Sequence, residues 1–194
     1  MELNANYWEQ RWQTGQTGWD VGYPTPAIVR YIDQLQDRDI RILVPGAGNG
    51  YEAEYLWQKG FVNTHVVDLS RTALDMFHAR VPEFPTVQLI HGDFFTLEGP
   101  FDLVVEQTFF CALDPALRRL YADHMQRIIR PGGVLAGLLF DFPLTEEGPP
   151  FGGSKAEYFG LFTAGFEIRH LDRSEHSIAP RAGRELWMEM ARKD

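Results

Sequence analysis

The sequence predicts an α/β fold in which a parallel sheet is covered by helices on both faces. Three observations carry that expectation. Between Ile40 and Phe140, mostly apolar strand-length runs alternate with helical stretches in a βαβ rhythm, as expected of strands buried on both sides. The first run, Ile40 to Pro45, feeds three glycines at alternate positions, Gly46, Gly48 and Gly50, and an amphipathic segment follows at once. Glycine reaches dihedrals closed to other residues and leaves no Cβ, so a strand can turn sharply into a helix with its backbone bare to a ligand. About twenty residues on, His65-Val66-Val67 ends in Asp68, where an acid at the tip of the second strand accepts from both hydroxyls of a ribose.

The first twenty residues carry Trp8, Trp12 and Trp19. Trp8 and Trp12 are four apart and share one face of a helix, which either staples that helix to the body or forms a lid, since tryptophan faces attract cations. Thr14-Gly15-Gln16-Thr17-Gly18, between Trp12 and Trp19, is glycine-rich enough to move. Thr25-Pro26 then supplies an N-cap and a first-turn proline for a helix running to about Leu35. Strand 1 ends at Pro45, a helix runs to about Gly60, strand 2 ends at Asp68, and a helix follows from Arg71 to about Val81. Strand 3, Thr86 to His91, empties into Gly92-Asp93-Phe94-Phe95. Asp93 there either accepts from an amino group with Phe94 packed on a flat heterocycle, or caps a turn with Phe94 in the core.

Strand 4, Phe101 to Val105, opens into the polar triplet Glu106-Gln107-Thr108, where ligands of open α/β sheets bind. Asp114-Pro115 starts a helix to about Ile129, and Pro131-Gly132-Gly133 turns into strand 5, Val134 to Phe140. The long loop Asp141 to Gly153 is rich in glycine and proline, as loops that shape substrate sites often are. Ser154-Lys155-Ala156-Glu157 is a capping box for a helix to about Gly165. Two last strands, near Phe166 to Arg173 and Arg184 to Met190, flank the loop Ser174 to Gly183.

The chain has 194 residues, 44% hydrophobic and 23% charged, enough for one soluble domain with a substantial core. A formal charge of −9 argues against nucleic acid, whose phosphates need a basic face. The single cysteine, Cys111, excludes an internal disulfide or a multi-cysteine metal site and, lying in an aromatic run, reads as a packed thiol. No metal is expected. The N-terminus lacks the basic start and apolar run of a secretory signal, and no apolar run approaches the roughly 20 residues of a bilayer span. Cytoplasm is the expected location.

The glycine spacing is Gly-x-Gly-x-Gly, with Tyr51 where a dinucleotide fingerprint has its third glycine, which disfavours a pyrophosphate and hence a nicotinamide-dependent oxidoreductase. Taken together, the glycine turn, Asp68 and Asp93 resemble the motifs of Rossmann-like S-adenosylmethionine-dependent methyltransferases. More narrowly, Tyr7-Trp8 through Trp12 to Gly18-Trp19-Asp20, Val44-Pro45-Gly46, Phe101-Asp102-Leu103, Phe109-Phe110-Cys111-Ala112-Leu113, Gly148-Pro149-Pro150 and Gly183-Arg184-Glu185 resemble the thiopurine S-methyltransferase superfamily, nearest its thiol, thiocyanate and halide branch.

The resemblance implies a Rossmann-like seven-stranded, mostly parallel sheet with the last strand antiparallel. It implies a single methyltransferase domain over 1–194, with 1–25 as an N-terminal lid and 26–194 as the core. Trp8, Trp12 and Trp19 would close over S-adenosylmethionine, and Pro45, Gly46, Gly48, Asn49 and Gly50 would touch its amino acid part. Asp68 and Leu69 would hold the ribose, Asp93 and Phe94 the adenine, and Glu106 and Gln107 the cofactor edge nearest the acceptor. Glu106-Gln107 and Phe151 depart from the aspartate-tyrosine pair and the tyrosine common in the halide branch.

The acceptor would be a small soft nucleophile such as a thiol, sulfide, thiocyanate, halide or thiopurine. A thiol with a pKa near 8.5 is already partly thiolate at neutral pH and needs little base; Phe151, Trp19 and Phe110 would suit its pocket. For a harder nucleophile, His176 and Glu106 are the candidate bases, and Arg181 and Arg184 could attract an anion. The expected partner is a small-molecule acceptor, without nucleic acid or membrane, for a monomer or weak homodimer. The alternatives are a catalytically silent cofactor-binding protein and the nicotinamide-dependent oxidoreductase.

Overall fold

A computed structural model describes residues 2–194. Seven strands form one sheet in the order β3-β2-β1-β4-β5-β7-β6: β1 Ile42–Pro45, β2 Thr64–Asp68, β3 Leu89–His91, β4 Phe101–Gln107, β5 Ile129–Phe140, β6 Phe166–Arg173 and β7 Glu185–Arg192. The β1–β2, β2–β3, β1–β4 and β4–β5 pairs are parallel, and β7 runs antiparallel between β5 and β6. This is the mostly parallel, seven-stranded sheet expected, with its last strand reversed.

The alternation of side chains along each strand sends Ile42, Val44, Leu103 and Val105 to one face and Leu43 and Val104 to the other. On the first face lie α2 Pro26–Ile32, α3 Tyr51–Gln58 and α4 Arg71–Arg80, through Ile28, Leu56, Leu74 and Phe77. On the second lie α5 Arg118–Ile128 and α6 Lys155–Phe162, through Tyr121, Met125 and Phe162. Each fully buried large side chain stabilises the fold by about 1.5–3 kcal/mol. The remaining helix, α1 Ala5–Gln13, is capped by Asn4, whose side chain accepts from the Tyr7 N–H, and packs on α4 outside both layers.

Element boundaries differ from the sequence expectation where proline or glycine acts. Pro85 starts a 3₁₀ turn over Thr86–Gln88, so β3 begins at Leu89 rather than Thr86. Asp114 caps a second such turn, Pro115–Leu117, before α5 proper. Strand β5 begins at Ile129 because Pro131-Gly132-Gly133 does not end the pairing with β4; it shifts the register, Phe101 facing Ile129 and Leu103 facing Val134. Extra residues of this kind are absorbed as a bulge.

The strand order reverses between β1 and β4. In open α/β sheets that reversal opens a crevice at the carboxyl ends of the strands, here between the turn after Pro45 and the tip of β4 at Gln107.

Candidate active site

Gly46, Gly48 and Gly50 have φ of +56°, +52° and +65°, a region that costs a residue with a Cβ about 1–2 kcal/mol. Space adds a second constraint. A Cβ on Gly46 would overlap the Phe109 ring, and one on Gly48 would lie 2.8 Å from the Trp12 indole. Aromatic rings therefore pack straight onto bare backbone. Gly50 also sets the start of α3 as its left-handed N-cap.

At the tip of β2, Asp68 Oδ2 accepts the Gly48 N–H at 2.8 Å and Oδ1 accepts the Ser70 N–H at 2.8 Å. Burial pushes the carboxyl above its usual range, while these two donors favour the charged form. A carboxylate has about four lone-pair sites, so each oxygen keeps capacity for a further donor. Leu69 is half-buried, its carbonyl 3.1 Å from His91 Nε2.

The tryptophans form one edge-to-face cluster, with Trp8 and Trp12 both against Trp19 at ring separations of 5.5 and 5.9 Å. Five hydrogen bonds at three of its residues, Glu9, Trp19 and Asp20, fasten the N-terminal segment to the core. Glu9 caps the start of α4 by accepting from Ser70 Oγ and from Thr72 N and Oγ1 at 2.7, 3.2 and 2.5 Å; these donors, the Thr72 hydroxyl first, draw its pKa down to about 2. Asp20 accepts from Asn49 Nδ2 in the glycine turn. Arg181 Nη2, from the loop before β7, donates to the Trp19 carbonyl at 2.9 Å.

Between the N-terminal segment and the sheet lies a cleft of ≈ 490 Å³, bordered by Trp12, Trp19, Asp20, Gly46, Gly48, Asn49 and, from β4, Gln107 and Thr108. Gln107 Oε1 is buried there without a hydrogen-bond partner. Thr108 holds φ of +55°, the one non-glycine described with positive φ; such backbone strain tends to gather at functional sites. Thr108 also borders a second, small and mostly apolar hole formed by Cys111, Leu138, Leu139, Phe140 and Glu185.

Several residues singled out in the sequence lie elsewhere. Phe94 is a core residue 3% exposed, packed on Phe95, Phe109, Tyr121 and His124, because the short link from β3 to β4 tucks beneath α5. Asp93 is exposed and caps its own 3₁₀ turn through the Phe95 N–H. Both geometries match the turn-and-core alternative, and these two residues, like Asp68 and Leu69, do not border the cleft.

Glu106 is fully buried and turned inward, its Oε1 accepting from Phe109 N and Phe110 N and its Oε2 from Tyr121 Oη at 2.6 Å. Burial outweighs those donors and lifts its pKa to about 7, yet all three bonds serve to fold the Phe-Phe-Cys-Ala-Leu turn. It is not placed to act as a base in the cleft. His176 is exposed in its loop, and Arg184 stacks on Phe142 at the surface. Phe151 packs over Gly148 and donates its N–H to the Cys111 carbonyl at 2.8 Å; it borders neither space. Cys111 is buried, and burial raises its pKa, as a packed thiol requires.

Two buried carboxylates were not read from the sequence. Glu52, in the first turn of α3, borders the cleft and accepts from both Thr25 N and Thr25 Oγ1 at 3.0 and 3.2 Å. Glu185 opens β7 beneath Arg181, with Oε1 3.7 Å from Arg181 Nη1. Glutamates at the ends of a helix and a strand look like surface residues in a sequence; only long-range packing reveals them.

The donor set suits an adenosyl sulfonium. Asp68 offers free acceptor capacity beside bare backbone, Gln107 an unpartnered carbonyl oxygen, and the tryptophans ring faces for a cation. Comparison with known proteins agrees. The family model described as thiopurine S-methyltransferase matches residues 3–190. A probable thiol methyltransferase 2 of Arabidopsis thaliana is 35% identical over 192 residues, covering 95% of this chain and 84% of its own. A thiocyanate methyltransferase 1 of Brassica oleracea is 31% identical, with 92% and 81% covered.

Among solved structures, the Burkholderia thailandensis 1,6-didemethyltoxoflavin-N1-methyltransferase, crystallised with S-adenosylhomocysteine, superposes with a TM-score of 0.75 at 19% identity over 98% of this chain and 87% of that one, which shows the shared fold. With a family match across nearly its whole length and relatives this similar, the chain belongs to the thiopurine S-methyltransferase family and is an S-adenosylmethionine-dependent methyltransferase.

Proposed function

We propose that the protein methylates a small soft sulfur nucleophile, a free thiol or hydrosulfide, by in-line displacement that leaves S-adenosylhomocysteine. The observation that carries this reading is a mostly apolar hole that shares one bordering residue, Thr108, with the cofactor cleft. A space walled by Cys111, Leu138, Leu139 and Phe140 suits a compact polarisable sulfur better than a strongly hydrated oxygen or amine nucleophile. Bound cofactor supplies a methyl group on a sulfonium, electrophilic because a neutral thioether leaves.

The chain's own part is alignment and exclusion of water. Asp68 and the glycine turn fix the cofactor from one side, and Trp8, Trp12 and Trp19 close the other. Holding two reactants in line removes roughly 7–11 kcal/mol of barrier, and a dry hole replaces the hydration of the entering sulfur. The acceptor is a small molecule rather than nucleic acid, consistent with the charge of −9. No helix among the described residues is long and apolar enough to cross a membrane, and we place the enzyme in the cytoplasm as a monomer or weak homodimer.

The test is a panel of ethanethiol, hydrosulfide, thiocyanate and iodide incubated with labelled S-adenosylmethionine and read as volatile methylated product. Thiols should turn over fastest. Replacing Asp68 by Ala should weaken S-adenosylhomocysteine binding about 10- to 150-fold, the loss of charge-assisted hydrogen bonds of about 1.5–3 kcal/mol. Cofactor binding without methylation of any panel member would instead mark a catalytically silent binding protein.

A further inference from the structure

We propose that Glu185 is the proton acceptor for a neutral thiol seated in the apolar hole, and that it selects nucleophiles that carry a proton over anions that carry none. This rests on the sulfur-methylation reading above and goes beyond it.

Glu185 is 2% exposed and, among the described residues, the only carboxylate bordering the hole. Its Oε2 is buried with no hydrogen bond within 3.5 Å, although the Ser177 hydroxyl lies near enough to favour the charged carboxylate, while Oε1 faces Arg181 Nη1 at 3.7 Å. A buried carboxylate with an idle oxygen is costly unless something brings it a donor. The other ionisable group bordering the hole is the Cys111 thiol, whose own proton burial holds in place.

Arg181 does not make the hole an anion receptor. Its Nη2 is already committed to the Trp19 carbonyl, and its charge is set against Glu185. An entering halide or thiocyanate would therefore meet a desolvated carboxylate, which is repulsive in a medium where charges are poorly screened. A neutral thiol meets an acceptor instead. Burial also pushes the Glu185 carboxyl above its ordinary value, bringing its basicity closer to that of a thiol.

The step balances. Sulfur forms a bond to the methyl carbon as the methyl–sulfonium bond breaks, with that electron pair returning to the thioether of S-adenosylhomocysteine. The S–H proton passes to Glu185 Oε2, and its bonding pair stays on sulfur as a lone pair of the neutral product. The carboxyl then returns its proton to water. A free thiol with a pKa near 8.5 is only a few per cent thiolate at pH 7, so a base beside the sulfur that takes the proton as the sulfur–carbon bond forms opens the reaction to the neutral majority.

The experiment compares wild type with E185Q on ethanethiol and on iodide at pH 7. Expected is a drop of at least ten-fold in kcat/KM for ethanethiol together with a rise for iodide, because the amide removes both the base and the buried charge. Parallel losses would overturn the proposal and leave Glu185 as an anchor for Arg181 and Trp19; so would no change in either.

Melting and S-adenosylhomocysteine affinity of E185Q report whether it folds. Independently of that variant, ethanethiol binding to the wild-type S-adenosylhomocysteine complex is measured calorimetrically in two buffers of different ionisation heat. Expected is no net proton release at pH 7; release of one proton per thiol would overturn the proposal. A wild type that binds S-adenosylhomocysteine yet methylates no panel member would sink the underlying reading, a result distinct from the parallel losses.

Discussion

The two halves of the site are made of different material. The cofactor half is backbone: Gly46, Gly48 and Gly50 in the left-handed region and an aspartate whose oxygens are fixed by backbone N–H groups, all within the first crossover. The proposed acceptor half is side chains, collected from the tip of β4, the end of β5, the loop before β7 and the first residue of β7. Backbone tolerates no substitution that adds atoms, whereas side chains can be exchanged to suit another acceptor. A family can thus keep one cofactor and vary what it methylates.

The sharpest way to break this contrast is Gly46→Ala. The added methyl must take φ of +56° and overlap the Phe109 ring, so backbone strain of about 1–2 kcal/mol adds to overpacking of about 1–3 kcal/mol. Expected is a loss of about 2–5 kcal/mol in urea denaturation together with loss of S-adenosylhomocysteine binding by calorimetry. Normal binding in a variant destabilised by that amount would show that bare backbone at this position serves packing alone.

The same contrast explains what the sequence made legible. Glycine spacing and an acid one crossover later are local patterns with one physical meaning, so the sharp turn from β1 into α3 and the acid at the tip of β2 were legible from residues 40–68. Phe94 and Asp93 stay ambiguous in sequence because a strand end followed by aromatics looks alike whether the rings face a ligand or α5. Glu106 is similar: a carboxylate at a strand's carboxyl end reads as catalytic from sequence, and its bond from Tyr121, on a later helix, is visible only in the fold. Glu52 and Glu185 were passed over because their burial depends on Thr25 and Arg181, partners that no local pattern announces.

Glu106 sharpens the comparison from the other side, since it shapes the acceptor half without bordering it. Its pKa stands at about 7 in the folded chain against an ordinary value near 4.3. A carboxyl with a raised folded pKa contributes fully below its unfolded pKa, and the contribution is lost as pH rises toward the folded value. Wild type should therefore lose about 3 kcal/mol from this group between about pH 4.5 and 7. In E106Q the amide cannot ionise, and Tyr121 Oη can turn to accept from it. Expected is a flatter stability profile from pH 5 to 8, read as urea midpoints; parallel profiles for the two proteins would mean that the Phe109 and Phe110 N–H groups keep the carboxylate charged throughout.

The smallest effect belongs to the element that joins the halves. The N-terminal segment is tied to the cofactor half by Glu9 on α4 and to the acceptor half by Arg181 on the Trp19 carbonyl. Because the folded pKa of Glu9 is drawn down to about 2, its contribution is present above its unfolded pKa and disappears as pH falls from about 4.5 toward 2. At neutral pH it is fully engaged, but on a part-exposed surface such contacts are worth under about 1 kcal/mol. Glu9→Gln keeps the shape and removes the charge, so S-adenosylhomocysteine affinity at pH 7 should fall by less than about five-fold, with melting almost unmoved. A loss beyond ten-fold would mean that closure of α1 over Asp68 contributes to cofactor binding on the same scale as Asp68 itself, and the cofactor half would then be as dependent on distant side chains as the acceptor half.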